Sequence, residues 1–203
     1  MATLTLQPAS GIDAAIDSYR PTTNLGSDYL FAVGYDNQRI YRQLIKFDLS
    51  ALPSGADITS ATLSWYVNID VSTNQTTYRV YRLKRAWVES QVTWSIYSTG
   101  NSWQVAGGFG ANDCEQVDIG SRIFTAAETT NEFKDFALTP TTKAGLDLGN
   151  GWLIKADNES VQAQYRGFSS DWDTAAQRPK LVIEYTGSIP AIAMDVYRHR
   201  RCG

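Results

Sequence analysis

Apolar and polar side chains alternate in short runs along this chain, the period of a strand whose successive residues face opposite sides of a sheet. Residues 3–6, 29–33, 44–47, 61–69, 76–83, 116–119, 152–156, 164–168 and 180–185 carry the alternation most clearly, and each predicts a strand. The stretches between them, at 21–26, 53–55, Asn74, 107–110 and 149–151, are rich in Gly, Pro and Asn, the residues that make turns. One helix is predicted, over 140–148, with Thr139 as its cap, Pro140 in its first turn and Gly149 past its end. Strands without helical crossovers predict an all-β chain, an antiparallel β-sandwich.

Composition supports a packed domain and changes the picture at one end. The 203 residues are 43% hydrophobic and 19% charged, enough for a sizeable core and far from a disordered mixture. Aromatics are abundant, with eleven Tyr, seven Phe and six Trp. The strand pattern runs through 1–187 and stops. Residues 188–203 combine apolar Ile189, Ile192 and Met194 with Arg198, Arg200, Arg201 and Cys202. Three arginines against one aspartate leave this segment at +2, so the rest of a chain of net charge −3 carries −5. A basic, partly apolar extension on an acidic body predicts a C-terminal arm that docks on a neighbouring subunit, where Cys202 would be placed to form an intermolecular disulfide.

Charge and hydropathy also exclude partners. An acidic body does not suit phosphate neutralisation, so no nucleic acid is expected. No apolar run approaches the length of a membrane span, and the first residues lack the basic and apolar regions of a signal peptide.

Catalytic chemistry is sparse. The sole histidine, His199, lies in the arm, and Cys114 and Cys202 are the only cysteines, so neither a nucleophile–histidine arrangement on a rigid platform nor a His/Cys zinc site is expected. Gly107-Gly108-Phe109-Gly110 is too short for a dinucleotide fingerprint and reads as a turn. Asp171-Trp172-Asp173 and Asp113-Cys114-Glu115 space their carboxylates as calcium loops do, but neither continues as an EF-hand, and both read as solvated loop acids. No cofactor and no enzymatic activity are expected. Asn74-Gln75-Thr76 and Asn158-Glu159-Ser160 match the glycosylation triplet; without a secretory signal they read as coincidences.

A longer pattern covers most of the chain. It runs through Thr23-Asn24-Leu25-Gly26, Lys46-Phe47-Asp48-Leu49-Ser50-Ala51-Leu52-Pro53, Trp87-Val88-Glu89 and Val92-Thr93-Trp94. It ends in Phe168-Ser169-Ser170 and Arg178-Pro179-Lys180-Leu181-Val182-Ile183-Glu184-Tyr185. This resembles the DNRLRE, or disaggregatase-related, domain family over about residues 3–186. The resemblance implies a single β-jelly-roll module without catalysis of its own. Such modules occur on bacterial and archaeal surface proteins, on polysaccharide-degrading enzymes and in some phage structural proteins. One branch is similar to carbohydrate-binding modules for acidic polysaccharide, in which basic residues do the binding.

If Ile45, Phe47 and Leu49 point inward, then Arg42, Leu44 and Lys46 point outward. Together with Arg82, Lys155 and Arg166 they predict a basic strip suited to carboxylated sugars, with Tyr41, Trp103 and Trp172 as stacking aromatics. Trp65, Trp87, Trp94 and Trp152 read as core. Two functions follow. The first is a structural protein on a phage virion surface (decoration, fibre or tail-associated), assembled through the arm as a homo-oligomer or with other virion proteins. The second is a module for acidic polysaccharide on a cell-surface protein. A virion-surface or extracellular location suits both.

Overall fold

The structure, a computed structural model, describes residues 1–7 and 12–187. The arm residues Ile189, Ile192, Met194, Arg198, Arg200, Arg201 and Cys202 therefore lie outside the described residues.

The chain forms β1 (Ala2–Leu6), β2 (Asp13–Asp17), β3 (Leu30–Asp36), β4 (Arg39–Ile45), β5 (Asp57–Asp70), β6 (Thr76–Leu83), β7 (Ile96–Ser98) and β8 (Asn101–Ser102). These are followed by β9 (Cys114–Phe124), β10 (Glu132–Leu138), a one-turn helix α1 (Lys143–Leu146), β11 (Trp152–Ala156), β12 (Ala163–Phe168) and β13 (Lys180–Thr186). All pairings are antiparallel, as expected of an all-β chain. Among the described residues no helix is long and apolar enough to cross a membrane.

The arrangement departs from two separate sheets. Hydrogen bonding runs without a break through β5, β10, β9, β6, β11, β4, β3 and β12 and returns to β5, closing an eight-stranded barrel. Two strands act as corners. One edge of β5 holds β13 along Asp57–Ser64 and then β12 along Val67–Asp70, while β10 takes the other edge. One edge of β4 likewise holds β3 and then β11, with β2 on the far side. The closing seam has a steric requirement. A Cβ on Gly167 would lie 2.0 Å from the Tyr66 carbonyl oxygen and 2.3 Å from the Trp65 indole nitrogen, so only glycine lets β12 approach β5 this closely. The β3–β4 hairpin turns on Asn37 and Gln38, both at positive φ, which matches the right-handed twist of the strands it joins.

Two apolar clusters result. The first fills the barrel, with Phe31, Ile45, Phe47, Leu49, Leu63, Trp65, Phe124, Phe136 and Trp152 among its members. The second lies outside it, where Leu44, Tyr81, Leu83 and Leu153 pack against Trp87, Val92, Trp103 and Cys114. The predicted inward set Ile45, Phe47 and Leu49 is inward. Leu44 faces the other way as expected, but the 84–113 segment covers it.

Four strands escaped the alternation: β7 and β8, three and two residues long, are too short to show a period, and β10 and β2 have reasons of their own. In β10 the inward positions are Lys134, Phe136 and Leu138, and a charged residue in the first of them breaks the apolar period. Lys134 is 2% exposed and its ammonium donates to Glu128 (2.9 Å) and Glu132 (2.6 Å). Strand β2, Asp-Ala-Ala-Ile-Asp, is buried at every position and so has no solvent face to alternate with. The helix is shorter than predicted. Thr142, not Thr139, caps it by accepting from the Gly145 N–H, because Thr141 and Thr142 are held extended against the start of β5.

Candidate functional site

The predicted basic strip is consumed by contacts within the protein. Arg42 is 8% exposed: its guanidinium donates to both carboxylate oxygens of Glu159 (2.8 and 2.7 Å) and to the Gly107 carbonyl (2.8 Å), and lies over the Trp94 ring. Gly107 adopts positive φ, and a Cβ there would meet that guanidinium at 2.7 Å. Lys155, also 8% exposed, approaches Glu159 and lies over the Phe109 ring; burial lowers its pKa. Arg166 pairs with Asp36 at 3.1 Å, and Arg82 donates to the Ala144 and Gly145 carbonyls. Lys46 lies half-buried over the Trp87 ring. The solvent-facing strip is thus corrected: Arg42 and Lys155 are buried beneath the 84–113 segment in contact with Glu159, while Lys46, Arg82 and Arg166 are half-buried and engaged by an aromatic ring, backbone carbonyls and Asp36. The outer face of β4 and β11 is roofed by the 84–113 segment, and a roofed cation must be paired.

Two of the three stacking candidates are also core. Trp103 is buried and donates its indole N–H to the Thr93 carbonyl at 3.0 Å, and Tyr41 is buried beneath Arg39. Trp65, Trp87 and Trp152 are buried as expected, while Trp94 is half-buried against the second cluster. Asp113, read as a solvated acid, is fully buried. It accepts the Gln104, Val105 and Gly110 N–H groups and organises the loop before β9.

Trp172 remains at the surface, and the structure builds a site around it. Its ring stacks on Phe168 at 4.0 Å and 6°, and Phe168 stacks on Tyr66 at 5.7 Å. Tyr29, 56% exposed, meets Trp172 edge-on at 6.0 Å. The Trp172 indole N–H donates to Gln177 and its carbonyl accepts from Arg178, which fixes the ring. Between these rings opens a cleft of about 360 Å³, lined by Asp28, Tyr29, Asn68, Ile69, Phe168 and Trp172. Apolar walls with a few polar groups at the rim are the ordinary make-up of a small-ligand site.

Beside Trp172 in the chain, Asp171 meets two acids from distant segments. One carboxylate oxygen each of Asp13, Glu89 and Asp171 lies within 4.8 Å of the others. Burial pushes the Asp13 carboxyl up to about 7, and burial also raises the pKa of Glu89 and Asp171.

The family profile described as disaggregatase related repeat domain matches residues 13–183. The chain belongs to that family. No curated protein matches it. The matched span of the repeat domain begins at Asp13, ends within β13, and contains both the aromatic cleft and the acidic trio. Sequence reading identified Trp172 as a loop aromatic, and Asp171 as an acid in calcium-like spacing with Asp173. It missed Tyr29, Phe168 and Tyr66 as one stack, and the partnership of Asp171 with Asp13 and Glu89. Alternation puts Tyr66 and Phe168 on the outer faces of their strands, but only the pairing of β5 with β12 brings the two rings together.

Proposed function

We propose that this repeat domain is a non-catalytic module that binds polysaccharide in the cleft between Tyr29, Ile69 and Trp172. The observation that carries this reading is the exposed aromatic site itself: a fixed indole, an exposed phenol ring and Ile69, 41% exposed, beside the Asp28 and Asn68 side chains. A sugar presents apolar C–H faces and polar hydroxyl rims, and this cleft offers matching surfaces to both. Basic groups do not line the cleft, so hydroxyl-rich neutral chains suit it better than carboxylated ones. Burial pushes the Cys114 thiol up to about 12, so it holds little nucleophilic thiolate.

Affinity electrophoresis in gels containing neutral and uronate polysaccharides tests this. At least one neutral polysaccharide should retard the wild-type protein, with little dependence on salt, and Trp172→Ala should remove at least nine-tenths of that retardation. Retardation by none, or retardation that survives Trp172→Ala, contradicts the cleft. Retardation by uronate chains alone, weakening with salt, would return the reading to acidic polysaccharide.

A second reading, a subunit of a phage virion surface, is favoured by the charge asymmetry between the +2 arm and the −5 body. Truncation after Gly187 should leave thermal stability within about 1 kcal/mol of the full chain while abolishing self-association or particle binding. Unchanged assembly contradicts an assembly arm.

A further inference from the structure

We infer that Asp13, Glu89 and Asp171 form a binding site for a divalent cation of the calcium class, tying the loop that carries Trp172 to the barrel. The three acids come from the first residue of β2, the turn after Trp87, and the loop after β12. Nothing local forces such distant carboxylates together, and bare proximity would be repulsive.

Two features point to an ion. The first is the partner inventory. Asp13, 1% exposed, takes the Ser170 N–H at 3.0 Å and the Ser170 hydroxyl at 3.1 Å, and Glu89 takes the Asp13 N–H at 3.1 Å. Asp171 Oδ2, by contrast, is sealed from solvent with no hydrogen-bond partner. A sealed carboxylate oxygen without a donor is costly and rare in a folded protein. Among the described residues none of the three acids is in a salt bridge; Arg178 acts on Asp171 and Lys46 on Glu89 only from longer range, so the trio's negative charge is offset in part and not paired. The second feature is size. Two oxygens bound to one calcium ion lie no further apart than twice its usual bond length, about 4.6–5.2 Å, and three oxygens within 4.8 Å of one another meet that limit. Three carboxylates from three segments are the hard oxygen donors that calcium takes.

The site stands independently of what the cleft binds. Its consequence is mechanical: Ser170 and Asp171 are fixed to β2 and to Glu89, and Trp172 follows them directly in the chain.

The test uses the full chain stripped with EGTA. Calcium chloride at 100-fold its Kd should raise the melting temperature by about 5–10 °C. Terbium should show luminescence on tryptophan excitation that calcium displaces. Asp171→Asn should cross over. In EGTA it melts at or above the wild type, since a like charge is gone, and in calcium it melts below the wild type with at least tenfold weaker binding. Glu89→Gln, which keeps its shape as an acceptor for the Asp13 N–H, should weaken binding in the same way. A wild-type melting point indifferent to calcium overturns the proposal. So does an Asp171→Asn variant that responds to calcium as the wild type does, or one that is destabilised equally with and without the ion.

Discussion

Asp113→Ala is expected to destabilise the protein by about 3 kcal/mol, seen as a lower urea midpoint at unchanged slope. The fully buried Asp113 carboxylate gathers the N–H groups of Gln104 at 2.9 Å, Val105 at 3.0 Å and Gly110 at 3.2 Å, and the Arg85 guanidinium approaches it at 3.4 Å. Alanine leaves these donors without their acceptor. The Gly110 N–H is buried and has no route to water, whereas Gln104 and Val105 are exposed residues that recover part of the loss. The effect should propagate to Gly107, whose carbonyl holds Arg42, and so loosen the roof over the second cluster. Asp173→Ala provides the comparison. That acid is exposed, and its removal should change stability by no more than about 0.5 kcal/mol. Equal effects for the two substitutions would contradict the assigned role of Asp113.

Gly167→Ala should cost about 3 kcal/mol, at the upper end for adding one methyl group to a packed site. The added Cβ would meet backbone at 2.0 Å, and a carbonyl of the neighbouring strand cannot rotate away as a side-chain tip can. Relief requires β12 to move from β5, which opens the barrel at its seam and shifts Phe168 relative to Tyr66. The variant should therefore lose amide protection in β12 and in the last residues of β5, while β10 and β13 remain protected. Gly187→Ala, with open space around its Cβ, should be nearly neutral. A Gly167→Ala protein as stable as the wild type would show that the seam is not tightly closed.

Much of the fold was legible in the sequence because most strands have one wet face and one dry one. Val80, Leu181 and Ile183 announced their strands in this way. Closure into a barrel was not legible. It depends on β5 being long enough to hold β13 and β12 in succession on one edge, and alternation does not say which strands share an edge. The predicted binding strip failed for a related reason. Arg42 and Lys155 do point away from the barrel interior, but alternation distinguishes two faces of a sheet without saying that one is wet. The cover over this face is largely irregular, held by Asp113, Trp87 and Trp103 instead of by a repeating pattern. Trp103 was misread because loop aromatics are ordinarily exposed, whereas this loop carries part of a core of its own. Trp172 was legible for the opposite reason: its ring packs on Phe168 and stays half-exposed at the cleft. The acidic trio had no sequence signal, since 76 residues separate Asp13 from Glu89 and only the fold brings Asp171 to them.

The central claim, that the repeat domain holds polysaccharide at the Trp172 cleft, is tested most directly by nuclear magnetic resonance of the full chain titrated with a neutral oligosaccharide. The Trp172 indole N–H signal and the backbone amides of Tyr29, Ile69 and Phe168 should shift together and saturate at one Kd, while the signals of Arg42, Lys155 and Trp103 stay in place. Shifts confined to Arg42, Lys46 and Lys155, or no saturable shift at the Trp172 indole with any of the sugars retarding the protein, would contradict it.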